Sequence, residues 1–156
     1  MSLDKLTYKT AILKTKRGNN LGVYSNAKPI LLISLIEAID EGIILGNKII
    51  FDCKELEDLY KINSTKNYNK DTVYKTNNSI TPYRMPFFHL NAEPYFHIKW
   101  KEHVDIPRQA QSPSVKFLIE SIDYAYFDEG LWKILQDREV REEFLSSIIE
   151  HFLIKE

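Results

Sequence analysis

Residues 86–100 read PFFHLNAEPYFHIKW. Two runs rich in aromatic and apolar residues, Pro86-Phe87-Phe88-His89-Leu90 and Tyr95-Phe96-His97-Ile98-Lys99-Trp100, flank Asn91-Ala92-Glu93-Pro94. Asparagine and proline punctuate chains because their side chains favour turn geometries, so the pattern predicts a wing-like β-hairpin. Upstream, Ser25-Asn26-Ala27-Lys28-Pro29 offers capping oxygens and a proline suited to a first helical turn. The run Ile30 to Ile39, ILLISLIEAI, is then apolar nearly all round. A helix of that kind belongs inside, and we place a buried central helix at about 29–41, closed by Gly42 in a left-handed cap.

The flanking segments fill in the class. Leu3, Leu6, Ile12 and Leu13 spaced among lysines predict an amphipathic helix over 3–17 that stops at Gly18-Asn19-Asn20. Residues 43–45 and 48–51 read as two short strands about Gly46-Asn47, and Lys54 to Tyr60 reads as a helix. The stretch 63–79 has too few apolar residues for a core element and reads as a surface connection. Beyond the hairpin, Ser112-Pro113 starts a helix carrying Val115, Leu118, Ile119 and Ile122. Further helices follow over 128–135 and 138–154, the last with Val140, Phe144, Ile148 and Phe152 on one stripe. The sum is an α+β protein, a mainly helical single domain over 1–156 with a wing-like β-hairpin, winged-helix-like in outline.

Composition agrees with a folded domain. At 156 residues and 44% hydrophobic, the chain can bury a core without metals or disulfides. No run approaches the roughly 18 apolar residues of a membrane helix. The opening MSLDKLTYKT lacks a secretory pattern, so a cytoplasmic location is expected. The single cysteine, Cys53, excludes an internal disulfide framework and a zinc site built on several thiolates. Neither a cofactor nor a membrane partner is implied.

The net charge of -1 conceals a segregation. Residues 1–28 carry six basic groups against one acidic, and residues 61–101 carry seven against two. Residues 29–60 carry two against seven, and residues 120–156 four against ten. If the basic blocks meet in space, they form a positive face on a neutral protein, the footprint of a polyanion site.

Several motifs also resemble a known family. Ala27-Lys28-Pro29 leading into Ile30-Leu31-Leu32, then Pro86-Phe87-Phe88-His89-Leu90, Ser112-Pro113-Ser114-Val115-Lys116, Tyr124-Ala125, Phe127-Asp128-Glu129 and Leu131-Trp132 follow in order. Over about residues 20–153 they resemble the N-terminal domain of predicted HNH-type restriction endonucleases. That domain is similar to the sulfur-binding domain of McrA-type enzymes, which recognises DNA with a phosphorothioate in its backbone. No His-Asn-His arrangement occurs here, so the HNH nuclease domain is expected to be absent, and no catalytic residue is assigned. Where the family's last helix runs into Tyr-Phe-Pro, this chain has His151-Phe152-Leu153.

The resemblance implies a non-catalytic module of a restriction-type system that binds double-stranded DNA, alone or beside a separate nuclease subunit. A phosphorothioate sulfur is more weakly hydrated than a phosphate oxygen, so an apolar cup rimmed by cations suits it. Tyr83, Pro86, Arg84 and His89 supply rings and donors beside the hairpin. Lys28 at a helix start, Lys99 and Lys101 around Trp100, and Arg108 complete the candidate DNA contacts, with Lys14, Lys16 and Arg17 as non-specific ones. Two other classes fit parts of the sequence. Asp40, Asp52 and Lys54 loosely match the metal and lysine pattern of PD-(D/E)xK nucleases, although Asp40 falls on a helix where that pattern wants a strand. The acidic last third, with Glu139, Glu142, Glu143 and Glu150, suits a protein-interaction subunit.

Overall fold

A computed structural model describes residues 2–20, 23–66, 81–102, 104 and 113–154. In chain order the helices are α1 (Ser2–Leu13), α2 (Ala27–Asp40), α3 (Lys54–Thr65), α4 (Arg84–His89), α5 (Val115–Ser121), α6 (Glu129–Ile134) and α7 (Arg138–Ile148). The strands are β1 (Asn19–Asn20), β2 (Val23–Tyr24), β3 (Phe96–Trp100) and β4 (Ile122–Phe127). They form two small antiparallel pairs, β1 with β2 and β3 with β4. The protein is therefore α+β and mainly helical, as its sequence pattern predicts.

Helix α2 is the spine. Leu31, Leu32, Ile33, Leu35 and Ile36 are buried on every side of it, which is why its apolar run shows no polar face. Its end is a Schellman motif. Gly42 takes φ of 79°, its N–H donates to Ile39 O at 3.3 Å, and the Ile43 N–H donates to Ala38 O at 2.9 Å. Helix α3 packs on α2 and runs past the expected end at Tyr60. The reason is Asn63, a buried polar residue whose Nδ2 donates to Ser34 Oγ at 3.0 Å and Glu37 Oε1 at 2.7 Å.

The predicted hairpin changes partner. Residues 86–90 are not its first strand: they belong to α4 and the 3₁₀ turn that follows it at Leu90–Ala92. Tyr83, Phe87 and Leu90 recur at helical spacing and are all buried. Pro86 sits in the first turn, where no intrahelical N–H partner is lost. Strand β3 pairs instead with β4, across a connection that includes α5, in the register Phe96 to Phe127, His97 to Tyr126, Ile98 to Ala125 and Lys99 to Tyr124. Ile122, placed by spacing on a helix, is the first residue of β4.

Residues 43–51 likewise do not form two strands. They contribute one bridge, in which Ile49 and Ala125 exchange N–H···O bonds of 2.7 and 2.8 Å. Asn47 extends the contact with its side chain, donating to Phe127 O at 2.8 Å and accepting from the Phe127 N–H at 2.9 Å. An amide side chain thus stands in for backbone pairing along the β4 edge. At the C-terminus, α7 passes into a π-turn at Ile149–Leu153 rather than continuing as a regular helix.

Aromatic rings join these parts. Tyr60, Tyr83, Phe51, Phe87, Phe96 and Phe127 form a chain of edge-on, tilted and stacked contacts with centroids 5.0–5.9 Å apart. Burial pushes the Tyr60 phenol up to about 12, and its hydroxyl donates to Thr81 O at 2.7 Å. Helix α1 docks by a closer fit. A Cβ on Gly130 of α6 would stand 2.9 Å from Tyr8 Oη and 3.0 Å from a ring carbon. Gly130→Ala should therefore lower the unfolding free energy by about 1–3 kcal/mol through overpacking. Gly46→Ala, where a Cβ meets nothing within 4 Å, should shift the urea midpoint much less.

Candidate nucleic-acid interface

Among the described residues, part of the basic charge is matched within the protein. Lys5 and Lys9 of α1 both reach Glu143 of α7 at 3.0 Å, so N-terminal positive charge is matched against the acidic C-terminal third. These two hydrogen bonds hold the Glu143 carboxyl below its ordinary range. Arg17 lies over the Phe152 ring at 5.0 Å and donates to Asn26 Oδ1 at 2.9 Å. Lys14 and Lys16 are exposed.

Lys28 does not rim a DNA site. Its Nζ is 2.9 Å from Glu93 Oε2, with the two side chains only 15% and 7% exposed. The same carboxylate oxygen accepts the Lys16 N–H at 3.2 Å. The Glu93 carboxylate thereby ties the segment after α1, the start of α2 and the turn before β3 into one buried polar joint.

The cup expected around Tyr83 and Pro86 does not form either, because both residues are core. The Tyr83 ring stacks on Phe51 at 5.4 Å, its hydroxyl donates to Phe51 O at 3.3 Å, and burial raises its pKa well above the ordinary value. Arg84 is half-buried, with Nε donating to Pro113 O at 3.1 Å. It lines a cleft of about 330 Å³ that also contains Lys61, Asp52 and Glu57. Among the described lining residues, two carboxylates balance two cations. His89 is half-buried and lies edge-on to Phe88. Arg108 lies outside the described residues.

Of the candidates, Lys99 and Lys101 are exposed, at the end of β3. Their surroundings were not visible in sequence. On the outer face of the small sheet, Lys99 of β3 stands opposite Tyr124 of β4, with its Nζ 5.8 Å from the ring centroid. Lys48 comes from the other side, beside the Ile49 bridge, and its Nζ lies 5.1 Å from the same centroid. Tyr126 adjoins Tyr124 at 5.9 Å, and the His97 ring adjoins Tyr126 at 5.1 Å. The His97 ring is itself held by a hydrogen bond between Nε2 and Asp128 Oδ1. Tyr8 Oη donates to the other oxygen of that carboxylate at 3.2 Å, and burial, then the Asp128 charge, raises the Tyr8 pKa. The inner face of the same strands, Phe96, Ile98, Ala125 and Phe127, is buried. The arrangement is a row of half-exposed rings with two cations over one of them, borne on a backed sheet.

The alternation in Tyr124-Ala125-Tyr126-Phe127 was the available signal for this face, masked by the helical spacing that precedes it. The residues of the nuclease alternative lie elsewhere. Asp40 ends α2 and binds Arg141, with Oδ1 2.9 Å from Nη2 and 3.1 Å from Nε, and Lys54 opens α3 beside Asp58. Among the described residues, no three His, Cys, Asp or Glu side chains cluster as metal ligands, and no helix is long and apolar enough to cross a membrane. No protein-family model matches the chain, and no curated protein matches it significantly.

The placement of Lys28 yields a direct expectation. Lys28→Met strands the buried Glu93 carboxylate and should lower the unfolding free energy by about 3 kcal/mol. The double variant Lys28→Met/Glu93→Gln should regain part of that loss in urea denaturation.

Proposed function

We propose that the protein is a non-catalytic nucleic-acid-binding module that captures DNA on the outer face of β3 and β4. The observation that carries this reading is the convergence of Lys48 and Lys99, fifty-one positions apart in the chain, on the ring of Tyr124. Lysines near a solvent-facing aromatic supply phosphate neutralisation together with a flat apolar surface, the two elements of sequence-independent nucleic-acid binding. Lys101, exposed just beyond β3, extends the positive charge.

The motif order that resembles the recognition domain of HNH restriction endonucleases supports DNA as the polymer, a restriction-type system as the setting, and the cytoplasm as the compartment. On that reading a separate nuclease subunit does the cutting. A backbone phosphorothioate is the modification such a domain would read, and the half-buried Tyr124 and Tyr126 rings are the apolar surface on offer for sulfur.

The test is fluorescence anisotropy with paired duplexes, one carrying a single phosphorothioate, across a salt series. The wild-type protein should bind with affinity falling as salt rises. Lys48→Gln/Lys99→Gln should reduce the slope of log K against log salt by about 2, one unit for each lost phosphate contact. An unchanged slope would place the contacts elsewhere, and equal affinity for the two duplexes would remove the sulfur preference.

A further inference from the structure

The rings of this face carry more information than its charge. Duplex DNA presents phosphates and groove edges to a protein, while the flat faces of its bases are covered by their neighbours in the stack. Tyr124, Tyr126 and His97 form a row across two strands, with successive centroids 5.9 and 5.1 Å apart. Such a row offers duplex DNA little that a lysine patch would not. It offers an unpaired base a stacking partner, because every base has an exposed π-face once it leaves the helix.

Three features suit the row to that use. The rings stand on paired strands whose inner face is packed into the core, so they are fixed in position before any ligand arrives. His97 is held by Asp128, and Asp128 by Tyr8, so this end of the row is anchored through α1. Lys48 and Lys99 approach Tyr124 from the two segments that flank β4, the Ile49 bridge and strand β3, where they can neutralise the phosphates on either side of a base stacked on that ring. Asp128 is engaged by these hydrogen bonds, while the Nζ atoms of Lys48 and Lys99 lie over the Tyr124 ring.

We infer that the nucleic acid bound here carries unpaired bases, a single-stranded or locally opened DNA segment, with Tyr124 and Tyr126 as the stacking platform and His97 as its anchored end. The inference rests on the proposed nucleic-acid-binding reading and specifies its ligand.

The experiment compares a fluorescein-labelled single-stranded 12-mer with the same sequence as a duplex, both at one salt concentration, using the full chain. The unaltered protein should bind the single strand about tenfold more tightly than the duplex. Tyr124→Ala should lose about tenfold for the single strand and little for the duplex, while Tyr124→Phe retains the preference. Lys48→Gln/Lys99→Gln should weaken both. Equal or tighter binding of the duplex by the unaltered protein overturns the inference and leaves the basic interface standing, whatever Tyr124→Ala does to stability. Failure to bind either form at low salt overturns the interface itself.

Discussion

The pairing of Ile98 with Ala125 is the constraint on which the site depends. Side chains alternate across a strand, so this register sends Phe96, Ile98, Ala125 and Phe127 inward and His97, Lys99, Tyr124 and Tyr126 outward. A slip by one residue would bury the lysine and expose the core. The second edge of β4 adds to the same constraint. Ile49 bonds Ala125 on the side opposite β3, and that bridge delivers Lys48 to the ring that Lys99 already approaches. The aromatic chain from Tyr60 to Phe127 backs the sheet and links its inner face to α3 and α4.

Much of this was legible in the chain. The buried spine α2, the left-handed Gly42 and the final amphipathic helix follow from periodicity and punctuation that tertiary contacts do not override. The first half of the expected hairpin was not legible, because a short aromatic run is compatible with both periods. Tyr83, Phe87 and Leu90 decide it for a helix only when Tyr83 is included. Strand β4 was obscured for a related reason: Ile122 completes the helical spacing of Val115 and Leu118, while the backbone has already turned extended. The long-range bridge at Ile49 has no local signature, since Asn47 substitutes a side-chain amide for backbone pairing.

Charge segregation was visible and its use was not. Opposite blocks in one chain can face a ligand or one another, and here α1 sets Lys5 and Lys9 against Glu143 while Lys28 closes on Glu93. Arg141 closes on Asp40 in the same manner, an arginine of the acidic third meeting a carboxylate from the other acidic block. Among the described residues, the positive charge left unmatched is thus smaller than the block sums suggest, and two of its lysines, Lys48 and Lys99, lie over the Tyr124 ring. On the proposed reading this arrangement is more selective than a broad basic surface, because cations alone neutralise any polyanion whereas rings stack only on exposed bases.

The most direct test of the account is a backbone amide NMR titration of the isotopically labelled protein with a short oligonucleotide. The largest shift changes should fall at residues 48–50, 97–101 and 124–126, on three chain segments brought together by the β3 and β4 pairing. Changes centred instead on residues 26–28 and 83–89, with the sheet unaffected, would contradict it.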